Sequence, residues 1–229
     1  MRYDIILIDL DQTILDFKQA EKIALPETIK AFGLEPTEEV ISRYKQINAG
    51  LWRQLEQGTV THQQVLEDRF GNLFAEFGVP VDKTACGEAY GEGLSRTHYY
   101  LPGAEEALEK LYGKYRLFLA TNGTATVQRR RMDSADMHRF FEDVFVSQEL
   151  GAEKPSMLFF EGAFARISGF DPSRGMIVGD SLTSDIRGGN NAGIATCWVN
   201  PEGKDPGPEI RVDYQIKSLA ELPELLEKL

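Results

Sequence analysis

Carboxylates, hydroxyls and an amide stand directly after short apolar runs of the sequence, and one amine follows a few residues past another such run. The four groups, in chain order, are Asp9-Leu10-Asp11-Gln12-Thr13, Thr121-Asn122-Gly123, Lys154-Pro155 and Gly179-Asp180-Ser181, with Asp185 five residues beyond Asp180. In an open α/β sheet, ligands bind outside the carboxyl ends of the strands. If the apolar runs are neighbouring parallel strands, these side chains therefore meet at one edge of a sheet.

Such a set of carboxylates with one lysine suits phosphoryl transfer. A phosphate monoester is a dianion whose transition state spreads charge over the equatorial oxygens, so catalysis depends on positioning and charge compensation. Carboxylates alone would repel it, and we expect Mg²⁺ to bridge them, because this cation prefers oxygen ligands. Lys154 can neutralise a further phosphate oxygen. Hydrogen bonds would come from Thr121, Asn122 and the backbone around Gly123 and Gly179.

The paired carboxylates of Asp9 and Asp11 suggest a division of labour. One can attack phosphorus and form an acyl phosphate, and the other can give a proton to the leaving alkoxide and later take one from water. An alkoxide is a poor leaving group without that proton. The second carboxylate therefore has a clear chemical purpose.

The elements that must position these residues form an alternating pattern of strands and helices. Apolar runs without polar alternation indicate strands covered on both faces, and these lie at 5–8, 117–120, 144–146, 176–178 and 194–199. Segments with helical spacing lie at 102–112, 124–136, 156–168 and 184–192. The pattern predicts an α/β fold with a doubly wound, mostly parallel, Rossmann-like sheet.

About a hundred residues without a strand-like run separate the first two strands, which predicts an inserted all-helical domain. Thr37 begins one helix of this insertion, Thr61 with Gln64 forms a capping-box pattern for another, and Asp82 caps a third. We place a helical cap at residues 16–97 and the Rossmann-like catalytic core at residues 1–15 and 98–229. The two junctions are expected to act as hinges for a cap that shields the site from water.

Composition argues against nucleic-acid and membrane partners. The chain has 25 Lys and Arg residues against 36 Asp and Glu residues, a formal net charge of −11, and such a charge repels polyanions. The basic run Arg129, Arg130 and Arg131 is interpreted as a solvated helix face. Cys86 and Cys197 are too few for a disulfide scaffold, and neither a signal-peptide pattern nor a membrane-spanning run is present. A cytoplasmic protein is expected.

Taken together, the four motifs resemble those of the haloacid dehalogenase-like hydrolases, in the same order and with similar spacing. The resemblance implies Asp9 as nucleophile and metal ligand, and Asp11 as acid/base with its carbonyl on the metal. It implies Asp180 as a further metal ligand. Ser181 and Asp185 are expected to support the site, and the resemblance implies that the carboxylate of Asp185 holds Lys154 or a metal-bound water. The remaining roles are phosphate-binding, for Thr121, Asn122, Gly123 and Lys154.

Two further stretches resemble the pyrimidine 5′-nucleotidase branch of that family, namely Asn48-Ala49-Gly50-Leu51-Trp52 and Ala192-Gly193-Ile194-Ala195-Thr196-Cys197-Trp198. The resemblance implies a Mg²⁺-dependent phosphatase that hydrolyses nucleoside 5′-monophosphates, small phosphorylated substrates, through an aspartyl phosphate. A monomer or a homodimer is expected.

Several alternatives remain open at this point. A phosphosugar phosphatase or mutase would keep both aspartates, and a mutase could use the cap cations Arg43, Lys45, Arg53 and Arg69 for a second phosphate. A phosphonatase would need a cap lysine such as Lys18, Lys22 or Lys30. The acid Asp11 argues against a dehalogenase. A non-catalytic phosphate-binding or regulatory module would be expected to have lost a carboxylate or the lysine.

The cap offers few clear functional residues. Trp52 has helical spacing from Ile47 and Leu55, which favours a core position over stacking on a nucleobase. His62 is expected on the surface. Phe17, just after the first motif, is a candidate for the wall of a substrate pocket.

Overall fold

The computed structural model describes residues 2–229, and the chain forms two compact units. One unit comprises the residues up to Phe17 together with His98–Leu229, and the other comprises Lys18–Thr97. The first contains the sheet and the second is helical.

The sheet of the first unit is parallel throughout the described residues. Its strands are β1 (Ile5–Ile8), β2 (Arg116–Thr121), β3 (Asp143–Val146), β4 (Gly175–Gly179), β5 (Ala195–Val199) and β6 (Tyr214–Ile216). They are ordered β3-β2-β1-β4-β5-β6. The chain therefore reverses direction of winding at β1, with β2 on one side and β4 on the other. This reversal is where ligands bind in doubly wound sheets.

Both faces of the sheet are covered, which explains why its strands are apolar without alternation. Ile6 and Ile8 of β1 belong to one buried cluster, and Ile5 and Leu7 belong to a second cluster on the opposite face. Since neighbouring side chains on a strand point to opposite faces, each face needs its own apolar set. The predicted fold class is confirmed.

Helices lie between the strands and in the second unit. They are α1 (Phe17–Ala31), α2 (Glu38–Glu56), α3 (His62–Glu76), α4 (Lys83–Ser95), α5 (Ala104–Leu111), α6 (Ala125–Ser134), α7 (Ser147–Leu150), α8 (Met157–Arg166), α9 (Arg187–Ala192) and α10 (Leu222–Glu227). Leu108 of α5 and Leu222 of α10 pack on one face of the sheet, and Phe159 of α8 packs on the other. Among residues 2–229, no helix has both the length and the apolarity that crossing a bilayer requires.

Three helices of the helical unit begin with the N-cap residues that the sequence predicted. The Thr37 side chain accepts from the N–H of Val40, and Thr61 forms a complete capping box with Gln64. Asp82 accepts from two backbone N–H groups at the start of α4. Each cap satisfies donors that the helix itself leaves unpaired.

Trp52 and His62 contact each other in the helical unit. Trp52 packs against the cluster of Leu51, Leu55 and Val65, as its spacing predicted, and its indole N–H donates to Asn48 Oδ1 at 3.1 Å. The ring of His62 lies edge-on to Trp52 with centroids 5.9 Å apart. The expectation that His62 is a surface residue was wrong, because its imidazole is half-buried against this ring.

Candidate active site

Asp9 and Asp11 lie in a tight turn that begins where β1 ends. The backbone N–H of Asp9 donates to Val178 at 2.9 Å, which continues the ladder between β1 and β4. The chain then turns back, with the N–H of Ile14 donating to the carbonyl of Leu10 at 2.9 Å. Gln12 adopts a left-handed conformation with φ of 61°, which is uncommon outside glycine and occurs often at functional sites. This turn separates the two aspartates and keeps both at the edge of the sheet.

Carboxylates from two strand ends form an acidic cluster. Asp9, Asp180 and Asp185 each offer an oxygen such that these atoms all lie within 4.8 Å of one another. Asp180 follows β4, and Asp185 lies in a π-helical turn, Leu182–Ile186, that Ser181 begins by accepting from the N–H of Ser184. The backbone N–H of Ser181 donates to Asp185 Oδ2 at 3.1 Å.

Gly179, the last residue of β4, makes room for this cluster. A Cβ atom at this position would overlap with the carboxylate of Asp185. The glycine is therefore required by the close approach of Asp185 to the strand, and not by a special backbone conformation.

Lys154 lies at the centre of the site and its ammonium is fully engaged. Nζ donates to Asp9 Oδ1 at 2.8 Å, to Asp185 Oδ1 at 2.6 Å and to the carbonyl of Ala120 at 2.6 Å. These three bonds match the three donors of an ammonium group. Burial opposes its charge, but the carboxylates of Asp185 and Asp9 outweigh burial and raise the pKa of Lys154. Lys154 is thus a charged group held between two carboxylates.

The carboxylates of the cluster are held at an electrostatic cost. Burial raises the pKa of Asp9 well above its usual value, Lys154 opposes this effect, and Asp185 and Asp180 add to it by repulsion. Burial and then the charge of Asp185 raise the pKa of Asp180 to about 7. When all three carboxyl groups are ionised, as they would be around a bound cation, they carry two negative charges more than the ammonium of Lys154 offsets. An all-oxygen donor set with that excess fits a hard divalent cation such as Mg²⁺.

The second motif, Thr121-Asn122-Gly123, lies beside this cluster, but its polar groups are largely hydrogen-bonded within the protein. Thr121 is buried and its hydroxyl accepts from Gln128 Nε2 at 2.9 Å. The side-chain amide of Asn122 donates to the carbonyl of Lys154 and accepts from its N–H, both at 2.9 Å. The N–H of Gly123 donates to Ser147 Oγ at 3.2 Å. Asn122 therefore braces the backbone of Lys154.

The carboxylate of Asp11 accepts hydrogen bonds from two side chains of α6 that lie outside the acidic cluster. Its Oδ1 accepts from Arg131 Nη1 at 2.5 Å, and its Oδ2 accepts from Gln128 Nε2 at 2.8 Å. Arg131 is 1% exposed, so the interpretation of the basic run as a solvated face was wrong for this residue. Arg130 is exposed, and Arg129 forms a half-exposed ion pair with Glu149 at 2.7 Å.

Sequence reasoning missed four side chains around the site: Gln128, Arg131, Ser147 and Trp198. The indole N–H of Trp198 donates to the carbonyl of Asp180 at 2.9 Å. Trp198 stands near the end of β5, opposite Gly179 in the register, and a residue with a polar tip at a strand's carboxyl end is a usable sequence signal. Gln128 and Arg131 are three residues apart on α6, so they share one helix face.

Comparison with known proteins decides the family. The family model described as haloacid dehalogenase-like hydrolase matches residues 6–199. This chain belongs to the haloacid dehalogenase-like hydrolases. Its similarity to the YfnB protein of Bacillus subtilis extends over 225 residues at 38% identity, covering 98% of this chain and 96% of that protein. A solved structure of YfnB bound to magnesium has a TM-score of 0.92 and covers 99% of both chains.

Two further relatives of this family member have named substrates. The pyrimidine 5′-nucleotidase PynA of Streptococcus pneumoniae is 35% identical over 229 residues, covering 100% of this chain and 97% of that protein. The pyrimidine 5′-nucleotidase YjjG of Escherichia coli is 30% identical over 228 residues and is covered completely, as is this chain. The resemblance predicted from the four motifs is confirmed, and the enzyme is a phosphatase of the haloacid dehalogenase-like family.

Several side chains that rival activities could use are exposed or engaged with other residues. The candidate Schiff-base residues Lys18, Lys22 and Lys30 are exposed, whereas such lysines are activated by burial. Arg43, a candidate for a second phosphate, forms an ion pair with Glu76 at 2.6 Å. Arg69 is buried over the rings of Phe70 and Tyr90.

Proposed function

We propose that this phosphatase hydrolyses nucleoside 5′-monophosphates in a Mg²⁺-dependent reaction that passes through an aspartyl phosphate on Asp9. The observation that carries the proposal is the buried carboxylate of Asp9, 2.8 Å from the ammonium of Lys154 and grouped with the carboxylates of Asp180 and Asp185. A carboxylate so placed is fixed in direction, which a nucleophile requires, and the charge of Lys154 favours its ionised form against the effect of burial.

In this proposal, Asp9 attacks the phosphorus atom and the ester oxygen leaves. Lys154 favours the ionised form of Asp9 and offsets the charge of the substrate, and the buried hydroxyl of Thr121 donates to a phosphate oxygen. Asp9, the backbone carbonyl of Asp11 and Asp180 would hold Mg²⁺, and the ion supplies further charge compensation when bound. Asp185 keeps Lys154 in place through the 2.6 Å bond between Oδ1 and Nζ.

Asp11 serves as the acid and base of the reaction in this proposal. Its carboxyl group gives a proton to the leaving 5′-oxygen and then takes a proton from the water that attacks the phosphorus of the aspartyl phosphate. This transfer matters most for alkoxide leaving groups, which are poor without a proton.

The substrate class rests on the relatives. PynA and YjjG are named pyrimidine 5′-nucleotidases, and each matches this chain over its whole length. The role of the helical unit as a cap that selects the substrate, with the boundaries given above, stays a prediction from the family resemblance.

A phosphate-release assay over a panel of esters tests the proposed function. The panel comprises UMP, dUMP, TMP, AMP, a hexose phosphate and p-nitrophenyl phosphate, each with Mg²⁺ and with a chelator. We expect phosphate release from the pyrimidine nucleotides with Mg²⁺ and its loss with chelator. Preference for the hexose phosphate would contradict the substrate class. Absence of release from every ester would contradict the phosphomonoesterase itself and favour a binding module.

A further inference from the structure

Arg131 and Gln128, both on α6, hold the carboxylate of Asp11 from two directions. Arg131 donates to Oδ1 at 2.5 Å and Gln128 donates to Oδ2 at 2.8 Å. One hydrogen bond fixes a direction, whereas two bonds to different oxygens also fix the plane of the carboxylate. Each carboxylate oxygen accepts more than one hydrogen bond, so Asp11 keeps capacity for a further partner.

The two α6 side chains are also bonded to each other and to the second motif. Arg131 Nη1 donates to Gln128 Oε1 at 2.9 Å, and Gln128 Nε2 donates to both Asp11 and Thr121. Gln128 therefore links the carboxylate of the first motif to the hydroxyl of the second. A change at either α6 residue would remove a hydrogen bond to a side chain of the first or the second motif.

Gly123 provides independent evidence that Gln128 is built into the site. A Cβ atom at Gly123 would lie 2.9 Å from Gln128 Nε2, closer than real Cβ contacts allow. The glycine of the second motif is thus needed so that the loop can approach the amide of Gln128. The two positions are matched in shape.

Stability alone gives a poor account of Arg131. Its side chain is 1% exposed, and burying a guanidinium is costly unless its partner compensates. Replacing a buried ion pair with apolar groups of similar volume is often neutral or stabilising. An arginine in this place is better explained by its effect on Asp11 than by its contribution to folding.

We propose that Arg131 and Gln128 are positioning residues that orient the Asp11 carboxylate towards the leaving group in the proposed phosphoryl transfer. The inference rests on the proposed function. Neither residue needs to touch the substrate, because both act through Asp11 and, for Gln128, through Thr121.

The test compares two substrates across four single variants and one double variant. The variants are Arg131→Met, Gln128→Met, Asp11→Asn, Asp11→Asn with Arg131→Met, and Arg129→Met as the matched control on the same helix. For each, kcat/KM is measured for UMP and for p-nitrophenyl phosphate with saturating Mg²⁺. Nitrophenolate leaves readily without a proton, so the second substrate depends less on Asp11.

We expect Arg131→Met to lower kcat/KM for UMP by about 10²-fold, the loss typical of a misplaced reacting group, and by much less for p-nitrophenyl phosphate. In the Asp11→Asn background, Arg131→Met should lower kcat/KM for UMP by no more than about threefold, since the effects of substituting residues that act as a unit are not additive. Arg129→Met should match the wild type. Equal losses for both substrates, losses that multiply in the double variant, or no loss at all would each overturn the inference.

Thermal melting of each variant separates misfolding from mispositioning. If Arg131→Met does not melt cooperatively, Arg131→Lys, which keeps the charge but loses the geometry of the guanidinium, decides by the same comparison of UMP with p-nitrophenyl phosphate. An inactive wild type would overturn the proposed function and this inference together. If the wild type is active and the Arg131 and Gln128 variants have the same kcat/KM as the wild type, this inference alone is overturned.

Discussion

The ammonium of Lys154 lies 2.8 Å from Oδ1 of Asp9, and both side chains are almost completely buried. The two residues are 145 positions apart in the chain. They meet because β1, which ends just before Asp9, lies next to β2, and because Asn122, just after β2, accepts a hydrogen bond from the backbone N–H of Lys154. The pair combines a buried carboxylate that is fixed in direction with a cation that favours its ionised form.

Lys154→Met tests whether this charge maintains the site. We expect a loss of about 3–5 kcal/mol in the free energy of unfolding, because the change leaves Asp9 and Asp185 buried without their cation. The loss should be smaller at low pH, where Asp9, whose pKa is raised by burial, can take up a proton. Denaturant unfolding of both proteins with chelator measures it.

Lys228→Met is the control for that experiment. Lys228 forms an exposed ion pair with Glu224 at 2.7 Å, and solvent screens such pairs, so this change should alter the free energy of unfolding far less than Lys154→Met does. If the two variants lost equal stability, Lys154 would not have the role described.

The raised pKa of Asp180 predicts how stability depends on pH and on Mg²⁺. Burial and the charge of Asp185 raise this pKa from 3.8 to about 7. Between these values the folded protein keeps a proton that the unfolded chain has released, so this group lowers the free energy of unfolding as the pH rises. Mg²⁺ binds the ionised form, and its stabilising effect should therefore grow over the same range.

Melting curves from about pH 4 to about pH 8, with chelator and with Mg²⁺, measure this linkage. The comparison with Asp180→Asn separates the contribution of Asp180 from that of His62. Burial and Arg69 lower the pKa of His62, so His62 raises the free energy of unfolding as the pH rises, which is opposite to the effect of Asp180. A Mg²⁺-induced shift in Tm that is the same at every pH would contradict the prediction.

Much of this fold and site could be predicted from the sequence because buried parallel strands can be recognised as continuous apolar runs. Buried strands are apolar throughout, so the residue that ends each run marks the edge of the sheet. The positions of Asp9, Thr121 and Asp180 followed from that rule, whereas Lys154 lies further along the chain, beyond the short helix α7 that follows β3. Strand β6 was missed because Tyr214–Ile216 is short and has an exposed glutamine at its centre.

The residues that orient Asp11 could not be predicted in this way. Gln128 and Arg131 lie 117 and 120 positions from Asp11, and a run of three arginines on a polar helix is typical of a solvated face. Only the packing of α6 distinguishes Arg131 from Arg130. Helix α1 was missed for a local reason, since it contains Pro26, a residue that normally interrupts helices.

Gly179→Ala tests the close approach of Asp185 to β4. The added methyl group would overlap with the Asp185 carboxylate and displace it from Lys154, so we expect activity to fall by about 10²-fold and the protein to be destabilised. Phosphate release and melting temperature measure the two effects.

Gly50→Ala is the matched control for that substitution. Gly50 lies inside α2, where an added Cβ atom would come no closer than 4.0 Å to Arg53, so the change should stabilise the protein by about 0.5–1 kcal/mol. A Gly179→Ala protein as stable and active as Gly50→Ala would show that Asp185 does not depend on this glycine.

The turnover of UMP by Asp9→Asn, compared with the wild type at saturating Mg²⁺, tests the assignment of Asp9 most directly. The amide keeps the shape of the side chain but is a far weaker nucleophile. We predict that phosphate release falls at least about 10³-fold in a protein that still melts cooperatively. A folded Asp9→Asn protein that releases phosphate at a rate near that of the wild type would contradict the assignment of Asp9 as the nucleophile.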